Sequence, residues 1–401
     1  MWKTIPVFIL SLMSLYGCTG ASETKPEPGD SGIDMGRIDG DAGTDAGMQT
    51  LDAGRDAAVP DLDAESPLPD QGQESPFAVE IARQITAPLI SERGASGLTV
   101  IIVSNDGTHV IGVGERSYGG DAVDAQTVFQ IGSVTKPITG FLLAAMLSSE
   151  NPAITLDSEL NSHLTGLTIP DYDGQQVTFR HAVSHYGSLV NLPSNLTGPV
   201  DSPGRGYSRE ALSAFLEETQ LNGPPGEQYA YSNLGYGLLG IGLGDLTGGS
   251  YEQVLNTLFI EPLGLSRTGL NTELFVETAG GNHARGHLRN GGAEVGFAHM
   301  GVLDGAGEVL MSGEDMAAFL RIMVRVDPYP VAGAVDRVLT SLGAGEGMMD
   351  IGYGWNIQPV LGIWGKSGIT PGFTASVVLK PEQQLAVAIL SNRGAFMGVQ
   401  R

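Results

Sequence analysis

The sequence predicts an α+β fold: an antiparallel sheet built from both chain ends, with flanking helices and an inserted, mostly helical region. Two β-branched runs come early, Leu98–Val103 and His109–Val113, joined by Asn105-Asp106-Gly107, a strong hairpin signal. Four apolar runs come late: Tyr353–Gln358, Ile363–Ser367, Thr374–Leu379 and Leu385–Leu390, the last two separated by Pro381-Glu382-Gln383-Gln384. Between them, from about Ile154 to Asp327, loops alternate with helical patterns. Strands at both ends and helices between place a groove where sheet and helical region meet, and a site is expected there.

In chain order, residues 1–18 read as an export signal. Lys3 supplies a positive start, Ile5–Leu15 an apolar run too short to span a bilayer, and Leu15-Tyr16-Gly17-Cys18 resembles a bacterial lipobox. Cys18, the only cysteine, is then the expected lipidation site. Residues 19–76 are rich in Asp, Gly, Ala and Pro, with Asp-Ala-Gly repeated at Asp41, Asp45 and Asp52. Few large apolar residues occur there, so the segment is expected to be a disordered acidic tether. Asp39-Gly40-Asp41 lacks the further ligands of a calcium loop.

Residues 77–401 form the working domain, about 325 residues in one unit or two intimate subdomains. Phe77–Ser91 has an i, i+4 apolar pattern and reads as an amphipathic helix. Ile138–Leu147 is apolar on nearly every side and predicts a buried helix beginning near Ser133, with Pro137 tolerable in its first turn. Further helices are predicted at Ser208–Glu218, Asn233–Leu246 and Tyr251–Phe259.

A net charge of −24 gives no support for binding nucleic acid or anionic lipid. A single cysteine excludes intramolecular disulfides, and no later apolar stretch is long enough to cross a bilayer. Membrane contact is therefore expected through the N-terminal lipid only.

The chain has only five lysines: Lys3, Lys25, Lys136, Lys366 and Lys380. In Ser133-Val134-Thr135-Lys136 one of them follows a serine by a helical turn, so the two share a face. A serine hydroxyl needs an adjacent base to become a nucleophile, and a desolvated lysine can be that base. Ser22-Glu23-Thr24-Lys25 repeats the spacing, but within the tether. Two further motifs accompany the first. Tyr231-Ser232-Asn233 opens a helix after Pro224-Pro225-Gly226, and Lys366-Ser367-Gly368 lies on a late strand before Ile369.

In their order and spacing, these motifs resemble the serine β-lactamase and D,D-peptidase superfamily, in its class C-like branch. The resemblance runs from Phe129 to Arg393 and includes Arg180–His185, Glu261–Leu265 and Gly305–Gly307 with Ser312 and Asp315. It implies Ser133 as nucleophile, with Lys136 and Tyr231 moving protons. Ser133 and Ile369 would supply the N–H groups of an oxyanion hole. Asn233 would hold a substrate amide, and Lys366, Ser367 and Gly368 would bind the substrate, the first two through a carboxylate. Between two lysines, Tyr231 would be drawn toward a phenolate or a shared proton. The partner implied is a small molecule or peptide whose carbonyl is acylated onto serine, at the bacterial cell envelope. Thr19 after the cysteine favours the outer membrane. No nucleotide, metal or other cofactor is implied.

Two alternatives share the motifs: an esterase of the same fold, and a penicillin- or peptidoglycan-binding lipoprotein that acylates without turnover. The resemblance also implies a longer C-terminal helix than Gly394–Arg401 provides, so either Phe77–Ser91 covers more of the sheet or that face is partly exposed.

Gly365-Lys366-Ser367 mimics the end of a phosphate-binding loop. That motif needs glycine where Val360 stands and a helix where Thr370-Pro371-Gly372 follows. His181/His185 and His283/His287 have the i, i+4 spacing of metal ligands, but neither pair encloses the glutamate of a zinc-peptidase helix. Structural roles are expected for these histidines.

Overall fold

The computed structural model describes Glu80, Ala82 and residues 96–271, 275, 281–288 and 293–394. The signal with Cys18, the tether and the C-terminal residues 395–401 lie outside the described residues. Of the Phe77–Ser91 helix only Glu80 and Ala82 are described; both are helical and Ala82 is fully buried.

The first hairpin is β1 (Gly97–Ser104) and β2 (Gly107–Gly114), as the Asn105-Asp106-Gly107 signal requires. Five short strands follow: β3 (Val128–Gln130), β4 (Thr268–Leu270), β5 (Gly286–His287), β6 (Glu294–Val295) and β7 (Val309–Ser312). The last six are β8 (Gly343–Ala344), β9 (Asp350–Gly352), β10 (Trp355–Gln358), β11 (Ile363–Ile369), β12 (Thr374–Lys380) and β13 (Leu385–Ser391). The main sheet is antiparallel throughout, in the order β2-β1-β13-β12-β11-β10-β9-β8. Both chain ends therefore build it, with Leu98 of β1 opposite Ser391 of β13.

The junction of the two ends is tied by Asn392, which has no exposed surface. Its side chain accepts from Gly97 N at 2.9 Å and donates to Ser96 Oγ at 2.6 Å and Arg116 O at 3.1 Å. Replacing it by leucine strands several buried partners. Asn392→Leu is expected to lower unfolding free energy by about 2–4 kcal/mol in a urea titration, with unchanged slope.

The inserted region is helical: α1 (Thr135–Leu147), α2 (Phe179–Val183), α3 (Arg209–Glu218), α4 (Asn233–Leu246) and α5 (Tyr251–Leu255), which runs on through a wider turn, Asn256–Ile260. Ser208, Ser232 and Ser250 cap α3, α4 and α5 by accepting backbone N–H bonds. α1 buries every residue but Met146, which explains its lack of a polar face.

The predicted strand Tyr353–Gln358 is shorter than expected. Tyr353 and Gly354 have φ of 28° and 87° and form the β9–β10 turn, so β10 starts at Trp355. A Cβ on Gly354 would stand 2.6 Å from the Lys136 carbonyl carbon, so this turn is seated directly on the first turn of α1. The short strands of the small β3-β7-β4 sheet were not foreseen, because three or four residues are too few to show a period. Among the described residues no helix is long and apolar enough to cross a membrane.

Candidate active site

Ser133 lies in a 3₁₀ turn, Gly132–Val134, that leads into α1. At that position its N–H is among those with no intrahelical acceptor, and it sits at the positive end of the helix dipole. The strand β11 approaches this turn closely. A Cβ on Gly368 would be 1.9 Å from Ile131 O and 3.0 Å from Ser133 N, so glycine there is what lets the strand come near. The position Cβ would occupy at Gly132 is 2.9 Å from Ile369 N.

β10 pairs with β11 only as far as Gly365, so the strand edge beyond it has no β10 partner. Thr370 N bonds to Phe373 O on the β12 side, and successive residues of a strand alternate between its two edges. Ile369 N–H therefore points to the open edge, toward the turn that carries Ser133.

Two side chains reach the Ser133 hydroxyl. Tyr231 donates its phenolic O–H to Ser133 Oγ at 2.9 Å. Lys136 Nζ is 3.4 Å from Oγ. The same Nζ donates to Asn233 Oδ1 at 2.6 Å and to Ala306 O at 2.7 Å. Asn233, at the first position of α4, is itself held by Asn191, whose Oδ1 accepts from Asn233 N at 3.2 Å and from its Nδ2 at 2.8 Å. That pairing turns the Asn233 carbonyl oxygen to Lys136. One Nδ2 hydrogen is left over for a substrate.

Lys366 projects from β11 and is 4% exposed. Its Nζ lies 5.1 Å from the Tyr231 ring centre, and Lys136 Nζ lies 4.9 Å from it on its own approach. Among the described residues, no carboxylate pairs with Lys366. Ser367 is half-buried on β11, opposite Ser376 of β12.

These groups shift one another's protonation. Burial, reinforced by the Lys366 charge, holds Lys136 well below the ordinary lysine range. Burial brings Lys366 down to about 8. Burial also pushes the Tyr231 phenol above its ordinary value, more than its bond to Ser133 lowers it. The expectation of a phenolate between two cations is thus reversed in the free protein. Desolvation outweighs the attraction, so the phenol holds its proton more tightly and both lysines hold theirs less tightly than in water.

A neutral lysine amine has two hydrogens and one lone pair. Asn233 Oδ1 and Ala306 O are acceptors only and take both hydrogens, which leaves the lone pair for the Ser133 hydroxyl. The arrangement can take a proton from Ser133 while Tyr231 holds one ready nearby. It requires no metal ligand, and among the described residues no group of three His, Cys, Asp or Glu side chains is gathered for one.

A family model described as Beta-lactamase matches residues 82–400. The chain belongs to the beta-lactamase family. It is 28% identical over 210 residues to the D-alanyl-D-alanine-carboxypeptidase/endopeptidase AmpH of Escherichia coli (strain K12), covering 49% of this chain and 50% of that protein. It is 21% identical over 309 residues to Protein flp of Staphylococcus aureus (strain MRSA252), covering 74% of this chain and 59% of that one. The matched region thus spans little more than half the length of these relatives. Among solved structures, the octameric penicillin-binding protein homologue from Pyrococcus abyssi superposes with a TM-score of 0.67 at 25% identity, over 78% of this chain and 73% of that one.

Within this beta-lactamase-family chain the structure gathers Ser133, Lys136, Tyr231, Asn233, Lys366 and Ile369 in one place. Cys18 lies outside the described residues. Sequence reasoning missed the Ala306 carbonyl, which accepts from Lys136, and Asn191, which holds Asn233 in place to accept from it. A backbone carbonyl carries no residue-type signal, and Asn191 belongs to no motif that chemistry alone would single out.

Proposed function

We propose that this protein is a serine hydrolase that forms an acyl-enzyme on Ser133 from an amide, ester or β-lactam carbonyl. The observation that carries the reading is the environment of Lys136: two acceptors consume its hydrogens and its remaining valence faces Ser133 Oγ. As Oγ attacks the carbonyl, its proton passes to the Lys136 amine. Ser133 N–H and Ile369 N–H receive the oxyanion. Tyr231 gives its phenolic proton to the leaving nitrogen or oxygen. The resulting phenolate lies between two ammonium groups, Lys136 now being charged, and this is the stage at which both cations stabilise it. Water then attacks the acyl-enzyme, Tyr231 takes the water's proton, and Lys136 returns its proton to Ser133 Oγ. Every group ends as it began.

The unpaired, nearly buried Lys366 favours substrates that bring a carboxylate, as penicillins and D-Ala-D-Ala peptide ends do. The likeness to AmpH supports the same class. A charge-assisted bond of this kind is worth about 1.5–3 kcal/mol. Lys366→Ala is therefore expected to lower kcat/KM for carboxylate substrates about 10–100-fold, and for neutral esters less. In the free enzyme Lys366 is charged below about 8 and loses its charge above. KM for a carboxylate substrate should stay flat at neutral pH and climb as pH rises past that value. A profile flat to pH 9.5 would rule out the carboxylate role.

Turnover of nitrocefin, p-nitrophenyl butyrate and a D-Ala-D-Ala peptide, measured side by side, tests the class. Hydrolysis of none of the three, with no adduct on Ser133, rejects the reading. The place of action follows from residues 1–18: export, lipidation at Cys18 and residence at the cell envelope on a tether. Release of a Cys18→Ala variant from the membrane fraction checks it.

A further inference from the structure

His185 is 1% exposed and sits one turn past α2 with φ of 62°, a left-handed conformation. It touches neither Ser133 nor Lys136 by hydrogen bond, yet it grips the chain on both sides of Tyr231. Its carbonyl accepts from Ala230 N at 2.8 Å, and its Nδ1 accepts from Ser232 N at 3.1 Å. Between those two bonds its ring lies against the Tyr231 ring, centre to centre 4.5 Å and inclined by 39°. Tyr236 at 4.9 Å and Tyr229 at 5.8 Å enclose it further.

Accepting from a backbone N–H requires the Nδ1 lone pair, so the imidazole is neutral and carries its proton on Nε2. That Nε2 is buried without a hydrogen-bond partner. A buried orphan donor is a standing cost, which an apolar side chain of similar shape would avoid. An imidazole is kept where its acceptor is needed. Burial, together with the Lys366 charge, holds the ring well below the ordinary histidine range, which keeps that acceptor available at neutral pH.

We propose that His185 is the positioning residue of Tyr231, clamping the peptide groups that flank it and backing its ring so that the phenol stays on Ser133 Oγ. This rests on the acyl-enzyme reading above. His185→Phe keeps a ring but removes the acceptor. His185→Asn keeps an acceptor near the Nδ1 position and tolerates the left-handed backbone, but removes the ring.

The test is the second-order rate of Ser133 labelling by a fluorophosphonate, measured per folded molecule in wild type, His185→Phe, His185→Asn, Tyr231→Phe and the two double variants. Each His185 variant should slow labelling about tenfold or more in the Tyr231 background, as displacement of a reacting group does. Asn should lose less than Phe. Combined with Tyr231→Phe, neither should slow it further, because the group being positioned is gone. Equal losses in both backgrounds, or melting temperature falling with rate unchanged, overturn the proposal. If His185→Phe does not fold, the His185→Asn cycle decides alone. Failure of the underlying hydrolase reading looks different: wild type stays unlabelled, or Ser133→Ala labels as well as wild type, and the positioning role falls with it.

Discussion

Ser133→Ala is expected to take up no covalent adduct from a fluorescent penicillin or a fluorophosphonate, and to lose about 10⁴-fold or more in kcat/KM. No second nucleophile stands ready in its place. The Tyr231 phenol is held protonated by burial, and its oxygen points at the very hydroxyl that the substitution removes. The Lys136 amine spends its hydrogens on Asn233 and Ala306 behind Ser133. Removing one half-buried hydroxyl leaves the turn Gly132–Val134 and α1 intact, so the variant should melt within a degree or two of the parent. Intact-mass spectrometry separates the outcomes: a variant that still gains one adduct, at the parent's rate, would falsify the assignment of the nucleophile.

Lys136→Arg should cost about 10³-fold in the acylation rate, within the range for loss of a positioned general base. The guanidinium carries a fixed positive charge and cannot be deprotonated in a protein, so it can donate to Ser133 Oγ without ever accepting from it. Lys136→Met, close in volume and uncharged, should lose as much, because it has no amine lone pair to take the proton. Shared loss in a charged and an uncharged variant identifies proton acceptance as the missing function. Wild-type acylation should in turn fall as pH drops through the Lys136 pKa, which burial and the Lys366 charge have lowered from the ordinary lysine range. The sign is fixed by the chemistry: the reactive form is the neutral one, present above the folded-state pKa. Acylation by Lys136→Arg within tenfold of wild type would remove the lysine from the mechanism.

Much of this site can be read from the chain. Ser133 and Lys136 share a helix face, Asn233 opens the helix that Ser232 caps, and Lys366 lies on an apolar strand, all features with a local signature. Likewise, the hairpin at Asn105-Asp106-Gly107 and the three last strands follow from turn chemistry and apolar runs. What stayed hidden depends on the third dimension. The protonation order of Tyr231 and Lys136 is set by desolvation, which no spacing encodes. The grip of His185 on Tyr231 joins residues far apart in sequence, and its i, i+4 spacing from His181 carries no hint of it. The turn at Tyr353–Gly354 reads as strand because its residues are apolar, until the need to seat against Lys136 is known.

A sheet closed by its own last strands also fixes a timetable. β1 emerges from the ribosome early but finds its neighbour β13 only after the whole inserted region has been made, and Ile369 of β11 likewise follows that region. Pairings of such long range are slow to form. Until then the proposed nucleophile Ser133 is present without Ile369 beside it, so an unfinished chain is expected to be chemically silent. Completion of the C-terminal hairpin arms it, and a chain cut short before β11 should remain inert whatever else it has folded.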